Sequence, residues 1–281
     1  MNILIIGDSL ALPRPHRIKS FNPAEEHQLA VHFQETYGML IQEHLYRSFP
    51  EEFSTVTNRA VRSCTLKHIL SEWMDHLYIF TPDVVILQVG VVDCWFREEL
   101  GGAQMVPHDE FVKLLDDLIH MLKLRPNTKV IAVGIALTSN KMEQRYPGIL
   151  NEIRKYNRTL RSKVDHRQFF YVDMEPFTDP NQQNKYLLPD DSHLNKEGNR
   201  LVSQLLLPFI EAQVHARKAS RHQENGDWQN AHERLKEAFH LYPADVGIID
   251  ALAKTCDIFK DRLTLLQMLT QIKQMRTEEQ S

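Results

Sequence analysis

Asn2-Ile3-Leu4-Ile5-Ile6-Gly7-Asp8-Ser9, directly after Met1, is an apolar run that stops at a Gly-Asp-Ser turn. Residues 2 to 6 have β-type composition, and the break at Gly7 marks a strand followed at once by a sharp turn. Two more runs of this kind lie at Val84 to Val89, closed by Gly90, and at Val130 to Ile135, containing Gly134; weaker ones are Ser54 to Thr57 and Phe169 to Val172. Between them, apolar residues recur at three- and four-residue intervals over about 37 to 48, 66 to 79, 110 to 124 and 148 to 164, which is the spacing of one buried helix face. Strands apolar on both faces, alternating with amphipathic helices, imply a parallel sheet covered on both sides. The expected fold is α/β, a three-layer α/β/α sandwich of about five parallel strands, with Lys196 to about Val214 as its closing helix.

With 281 residues, 42% hydrophobic and 25% charged, the chain has room for one medium domain and an appendage, and its composition excludes disordered, collagen-like and membrane-spanning classes. Lys and Arg number 33 against 37 Asp and Glu, so no global positive field favours nucleic acid or anionic lipid. Ile3 to Ile6 is too short for a secretory or membrane segment, which gives the expectation of a cytoplasmic protein with no membrane insertion. Cys64, Cys94 and Cys256 are odd in number and widely spaced, fit neither a disulfide framework nor a zinc ligand set, and read as reduced, mostly buried thiols.

Strand signals cease at about 215. Gly226, Asp227, Trp228, Ala231, Leu235, Ala238 and Pro243 occupy second-helix positions of the tetratricopeptide pattern, and Ala219 matches the small residue of its first helix. Ala253 and Leu269 follow Ala219 and Leu235 by 34 residues. Departures are Lys260-Asp261-Arg262 in place of Gly-Asp-Trp, and His215, Lys218 and His222 where large apolar residues are expected. The expected domains are 1–212 and a small all-α, tetratricopeptide-like tail at 213–281, which should pack on the sandwich or on another chain.

In an open parallel sheet, ligands bind beyond the carboxyl ends of the strands, and Ser9 lies just past the first of them. It reads either as a cap for the next helix or as a nucleophile. The loop Leu188-Pro189-Asp190-Asp191-Ser192-His193-Leu194-Asn195 precedes the closing helix. An Asp three residues ahead of a His can curl back to hold one imidazole nitrogen and leave the other to take a hydroxyl proton. Asp190 and His193 are therefore a candidate orienter and general base.

Gly7-Asp8-Ser9-Leu10 and Asp190-Asp191-Ser192-His193 resemble the first and last blocks of the GDSL, or SGNH, hydrolases, a flavodoxin-like group of serine esterases, lipases and carbohydrate acetylesterases. The resemblance covers about 1 to 212. It implies Ser9 as nucleophile, His193 as general base and Asp190 as orienter, with Asp191 as the alternative orienter and with no cofactor or metal. The implied substrate is an O-acetyl or other short acyl group on a carbohydrate, passed to water or to a sugar hydroxyl.

The middle blocks depart from the pattern. Where the family's second block offers a Gly N–H to the oxyanion, Asn58-Arg59-Ala60-Val61-Arg62-Ser63-Cys64-Thr65 has Ser63, whose N–H serves as well if the turn does not require positive φ. The oxyanion hole is then expected from the N–H groups of Ser9 and Ser63. The third block, Gly-x-Asn-Asp, is here Gly90-Val91-Val92-Asp93, so Val92 replaces a donor whose loss typically costs about 10²–10³ in kcat. The same variation resembles a subgroup from bacterial surface-polysaccharide gene clusters, on the stretches Gly7 to Arg14, Gly90 to Cys94 with Arg97, and His193 to Gly198.

Arg97, Arg62 or Asn58 would supply the missing contact, or else hold loops through ion pairs with Asp93 or Asp8. Arg14, His16, Arg17 and Lys19, stiffened by Pro13 and Pro15, would bind an anionic leaving group, or else form a solvated charge run balanced by Glu25 and Glu26. Asp8 is expected to satisfy turn N–H groups and not to bind metal, and of the tryptophans only Trp95 sits where a sugar platform is useful. The competing expectation is a catalytically weak scaffold that recruits a protein partner through 213–281.

Overall fold

The computed structural model describes residues 1–14 and 30–278. The chain divides into two compact units, Met1–Leu205 and Leu206–Ser281. In chain order the first contains β1 (Asn2–Gly7), α1 (Tyr37–Ser48), β2 (Thr55–Asn58), α2 (Leu66–Phe80), β3 (Val84–Gln88) and the short α3 (Val91–Cys94). A hairpin of β4 (Phe96–Arg97) and β5 (Ala103–Gln104) follows, then α4 (His108–Leu122), β6 (Lys129–Val133), α5 (Asn140–Arg145), α6 (Ile149–Ser162) and β7 (Phe169–Val172). The division between units falls inside α7 (Lys196–Glu224).

The five main strands are all parallel and run β2-β1-β3-β6-β7 across the sheet, with Ile5, Ile86, Ile131 and Phe170 in register. Ile3 to Ile6 are all buried, which explains why the strand is apolar on both faces. On one face Leu4, Ile6, Val85 and Leu87 join Trp73 of α2, Phe111 of α4 and Tyr156 of α6 in a single core. On the other, α1 lies so close that a Cβ at Gly38 would come within 2.6 Å of Ile5 Cδ1. Burial of each such aliphatic or aromatic side chain contributes about 1.5–3 kcal/mol. Helices on both faces make the three-layer α/β/α sandwich that the hydrophobic pattern implies. Chain order along the sheet reverses between β1 and β3, so the crevice beyond their carboxyl ends is the place the topology provides for a ligand.

The closing helix corrects one boundary: α7 does not end near Val214 but continues through Pro208 to Glu224. Its apolar side extends with it, since Phe209, Ile210, Ala212, Val214 and Ala219 are all buried. The β4–β5 hairpin and α5 have no counterpart in the sequence reading, because two- and six-residue elements are too short to show a period.

The second unit adds α8 (Trp228–Leu241), α9 (Val246–Phe259) and α10 (Arg262–Glu278), packed around Ala231, Leu235, Ala238, Ile248, Leu252 and Cys256. Its corners repeat at the 34-residue spacing. Gly226 (φ 75°) precedes Asp227, whose carboxylate accepts the Asn230 N–H; Lys260 (φ 55°) precedes Asp261, whose carboxylate accepts the Thr264 N–H. The interior does not repeat as fully: Leu235 is buried, whereas Leu269 is 54% exposed. Among the described residues no helix is long and apolar enough to cross a membrane.

Candidate active site

Where β1 ends, a Cβ on Gly7 would lie 2.2 Å from the Gln88 carbonyl oxygen, so the two strands can approach as they do only with glycine there. The next N–H, that of Asp8, donates to the same oxygen at 3.1 Å. Asp8 Oδ1 then accepts the Leu10 N–H at 2.9 Å and caps the single turn Ser9–Ala11. The cap is Asp8, which leaves the Ser9 hydroxyl uncommitted to the backbone.

Ser9 Oγ instead lies 2.8 Å from Nε2 of His193. His193 Nδ1 lies 2.8 Å from Asp190 Oδ2, so the carboxylate holds the proton on Nδ1 and leaves Nε2 to accept from the serine. The loop is built to present this arrangement. The Leu188 N–H donates to the His193 carbonyl at 2.7 Å, and Asp190 Oδ1 accepts the N–H groups of Ser192 and His193 at 3.1 and 2.9 Å. Burial works against ionisation of Asp190, but the hydrogen bond and charge of His193 and these N–H groups outweigh it and hold its carboxyl well below the usual range. Asp191 turns away: it is buried at φ 55°, with its carbonyl fixed by the Thr138 hydroxyl at 2.6 Å. Of the two aspartates, Asp190 meets the imidazole. Ser192 Oγ, 3.1 Å from Nδ1, is a neighbour that the sequence reading did not single out.

The opposite wall carries Ser63. The Cys64 N–H donates to the Val61 carbonyl at 3.2 Å, closing a turn in which Ser63 has φ 58°. This corrects the sequence-based condition: the turn does require positive φ, and a serine there bears roughly 1–2 kcal/mol of strain that glycine would not. Ser9 and Ser63 both line the cleft, and among the described residues neither N–H is spent on a hydrogen bond. Val92, on α3, is buried against the same cleft and offers no donor.

The three residues expected to replace that donor separate. Asn58 is committed to its loop, its amide donating to the Ala11 carbonyl at 2.7 Å and accepting the Ala60 N–H at 2.9 Å. Asn58 and Arg62 do not line the cleft, and Arg97 does. The expected ion pairs with Asp8 or Asp93 are not formed among the described residues; Asp93 Oδ1 accepts the Leu66 N–H at 2.8 Å, in the first turn of the helix α2 that Thr65 caps. Arg14 pairs at 3.5 Å with Asp190, a lining residue, and does not itself line the cleft. His16, Arg17, Lys19, Glu25 and Glu26 lie outside the described residues.

Beneath the cleft, desolvation pushes the carboxyls of Asp8 and Asp93 up to about 7, against the N–H groups of Leu10 and Leu66 that favour ionisation; the Asp93 charge raises Asp8 further. Each keeps one buried carboxylate oxygen, Oδ2, without a partner. The cleft has a volume of about 250 Å³. Trp95 lines it beside Tyr146, the two rings edge to face at 6.1 Å, and Arg145 lies over the Tyr146 ring. Arg145, Tyr146 and Met142 were missed in the sequence, although they follow β6 and the strand-end rule points to that loop.

Among the described residues one group has donor atoms near enough for a metal: His232, Cys256 and Asp261, within 4.8 Å of one another in the helical unit. Two of the three are engaged in contacts that close the helices: His232 Nδ1 lies 2.9 Å from the Thr255 hydroxyl and Nε2 3.2 Å from Asp261, which also accepts from the Thr264 hydroxyl.

Residues 5–201 match the family model described as GDSL-like Lipase/Acylhydrolase family. No curated protein matches. Among solved structures, Axe2, an acetylxylan esterase from Geobacillus stearothermophilus, is similar with a TM-score of 0.56 at 20% identity, over 73% of this chain and 92% of that one. LAE5, an alpha/beta hydrolase enzyme from the metagenome of Lake Arreo, Spain, is similar with a TM-score of 0.57 at 19% identity, over 73% and 93%. At these identities the likeness is one of fold.

Proposed function

The chain belongs to the GDSL-like Lipase/Acylhydrolase family and is a serine hydrolase of that type, and on this premise we propose that Ser9 is its nucleophile, His193 its general base and Asp190 the group that orients the base. The observation that carries the assignment is the unbroken relay of two 2.8 Å contacts from Ser9 Oγ through His193 to Asp190. Ser9 Oγ attacks the acyl carbonyl as Nε2 takes its proton; the oxyanion forms against the N–H groups of Ser9 and Ser63. His193 then returns the proton to the departing alcohol, leaving an acyl group on Ser9. Water activated by the same imidazole, or a sugar hydroxyl in its place, releases it.

The substrate we propose is a short acyl ester, an O-acetyl group on a carbohydrate. A cleft of about 250 Å³ with Trp95 and Tyr146 on its wall supports a small acyl group and a flat sugar face better than a long chain. The similar fold of Axe2, an acetylxylan esterase, agrees with this class. Acetate release from acetylated xylo-oligosaccharides and turnover of 4-nitrophenyl acetate test the assignment. The wild type should turn over, and Ser9→Ala should lose at least about a thousandfold in kcat; equal rates in the two would reject it.

A second reading, that the protein is a weakly active scaffold, is favoured by Val92 and by the exposed apolar residues Leu263, Leu266 and Leu269 on α10. In that reading 213–281 is a tetratricopeptide-like segment that docks a protein partner, which the 34-residue repeat of its corners supports. Truncation at 212 distinguishes them: an enzyme acting alone keeps its turnover of 4-nitrophenyl acetate if the remaining domain folds, as judged by a cooperative thermal transition, whereas a scaffold has little turnover to lose.

A further inference from the structure

We propose that the cleft selects acylated sugars that carry an anionic group, carboxylate or phosphate, and that Arg97 is the residue that recognises it. This rests on the Ser9 hydrolase reading and names the substrate class of the same site. Arg97 ends the two-residue strand β4, and its backbone is fixed: it pairs with Ala103, and its carbonyl accepts the Gly102 N–H at 2.8 Å. Gln104, next in the hairpin, donates to the Cys94 carbonyl at 3.1 Å and to Glu152 at 2.9 Å, tying the hairpin to α3 and α6. The side chain leaves this anchored base and lines the cleft alongside Ser9 and His193.

Its charge is uncompensated. Arg97 Nε is buried without a hydrogen-bond partner, and among the described residues the guanidinium forms no ion pair. A guanidinium cannot discharge by losing its proton, so a buried N–H of this kind remains a cationic donor that lacks an acceptor. The other charges of the cleft are committed: Arg145 pairs with Glu98 at 3.1 Å, and Asp190 is held by His193 at 2.8 Å and by Arg14 at 3.5 Å. A bound neutral ester would leave Arg97 as it is. A carboxylate or phosphate on the sugar meets the Nη end of the guanidinium, the part that is not buried, and answers its charge with charge-assisted hydrogen bonds.

Kinetics separate this role from that of the absent side-chain donor at Val92. A group serving the oxyanion would speed every ester alike, whereas one that meets a distant substituent acts only on substrates that have it.

The test compares kcat/KM of the full chain for three acetyl esters: an O-acetylated methyl glucoside, the corresponding glucuronoside and the corresponding 6-phosphate. The wild type should prefer one or both charged esters by about ten- to a hundredfold, the range of a charge-assisted pair. Raised salt should narrow the preference, and Arg97→Gln should bring the charged-to-neutral ratio near one. The glucuronoside and phosphate arms tell which anion is preferred. Equal rates on all three esters in the wild type, or a ratio unmoved by Arg97→Gln because both rates fall by one factor, would overturn the proposal while leaving Ser9 chemistry intact. Turnover of none of the three, with none on 4-nitrophenyl acetate, would remove the hydrolase reading and this inference with it.

Discussion

Replacing Asp8 by Asn isolates the energetic burden of placing a buried acid next to Ser9. In the wild type, desolvation carries the Asp8 carboxyl from its ordinary 3.8 to about 7. The folded state thus holds a proton that the unfolded chain releases near pH 4. The stability this proton gives is full below about pH 4 and is lost as pH rises through about 7. At about 1.4 kcal/mol per pH unit, the wild type loses roughly 3 kcal/mol from this one group between pH 5 and pH 8. In Asp8→Asn the amide oxygen still accepts the Leu10 N–H, now made to Asp8 Oδ1 at 2.9 Å. The amide nitrogen enters the place of Oδ2, which has no partner, at a constant cost of about 1–3 kcal/mol. Because the wild type has already lost roughly 1.6 kcal/mol at pH 5, the variant should be within about 1.5 kcal/mol of wild type there and more stable than wild type at pH 8. The difference between the two conditions is about 3 kcal/mol whatever the constant cost. Urea denaturation at both pH values, analysed by linear extrapolation, measures it. A wild-type-to-variant difference that is the same at pH 5 and pH 8 would refute the argument.

Three other substitutions bear on the site. Asp190→Asn removes the acceptor for His193 Nδ1 and favours the wrong tautomer, so kcat on 4-nitrophenyl acetate should fall by about 10²–10⁴ with KM little changed; a fall of less than about threefold would free Asp190 of its role. Ser63→Gly relieves a residue at φ 58° at the expense of a more flexible unfolded chain, so stability should rise by up to about 1 kcal/mol. The oxyanion role proposed for Ser63 needs only its backbone N–H, so kcat should stay within about threefold, and a hundredfold loss would mean that the hydroxyl takes part. Val92→Asn returns a side-chain donor to the cleft and should raise kcat by about ten- to a hundredfold; no gain in a variant of unchanged melting temperature would mean that the oxyanion is already fully served.

The sheet is legible in the sequence because β1, β3 and β6 are buried on both faces and so appear as unbroken apolar runs. The Ser9, His193 and Asp190 positions are legible because an early strand-end turn and a late Asp-x-x-His loop must converge at the reversal of strand order. Other features depend on direction, which spacing does not encode. Asn58, Arg62 and Arg97 are equivalent as polar residues near the blocks, yet only Arg97 faces the cleft. The positive φ of Ser63 carries no mark in its residue type, since serine is common in turns of every kind. Arg145 and Tyr146 come from the end of the short helix α5 after β6, a segment with no motif of its own, and Tyr146 lines the cleft in edge contact with Trp95.

The most direct measurement is covalent labelling of the serine itself. The intact protein is treated with a fluorophosphonate near pH 8 and the modified peptide is located by mass spectrometry. Activation of Ser9 by His193 at 2.8 Å predicts one adduct on Ser9, absent in Ser9→Ala and slowed at least about a hundredfold in His193→Ala. A wild type that takes up no label, or one labelled equally well without His193, would contradict it.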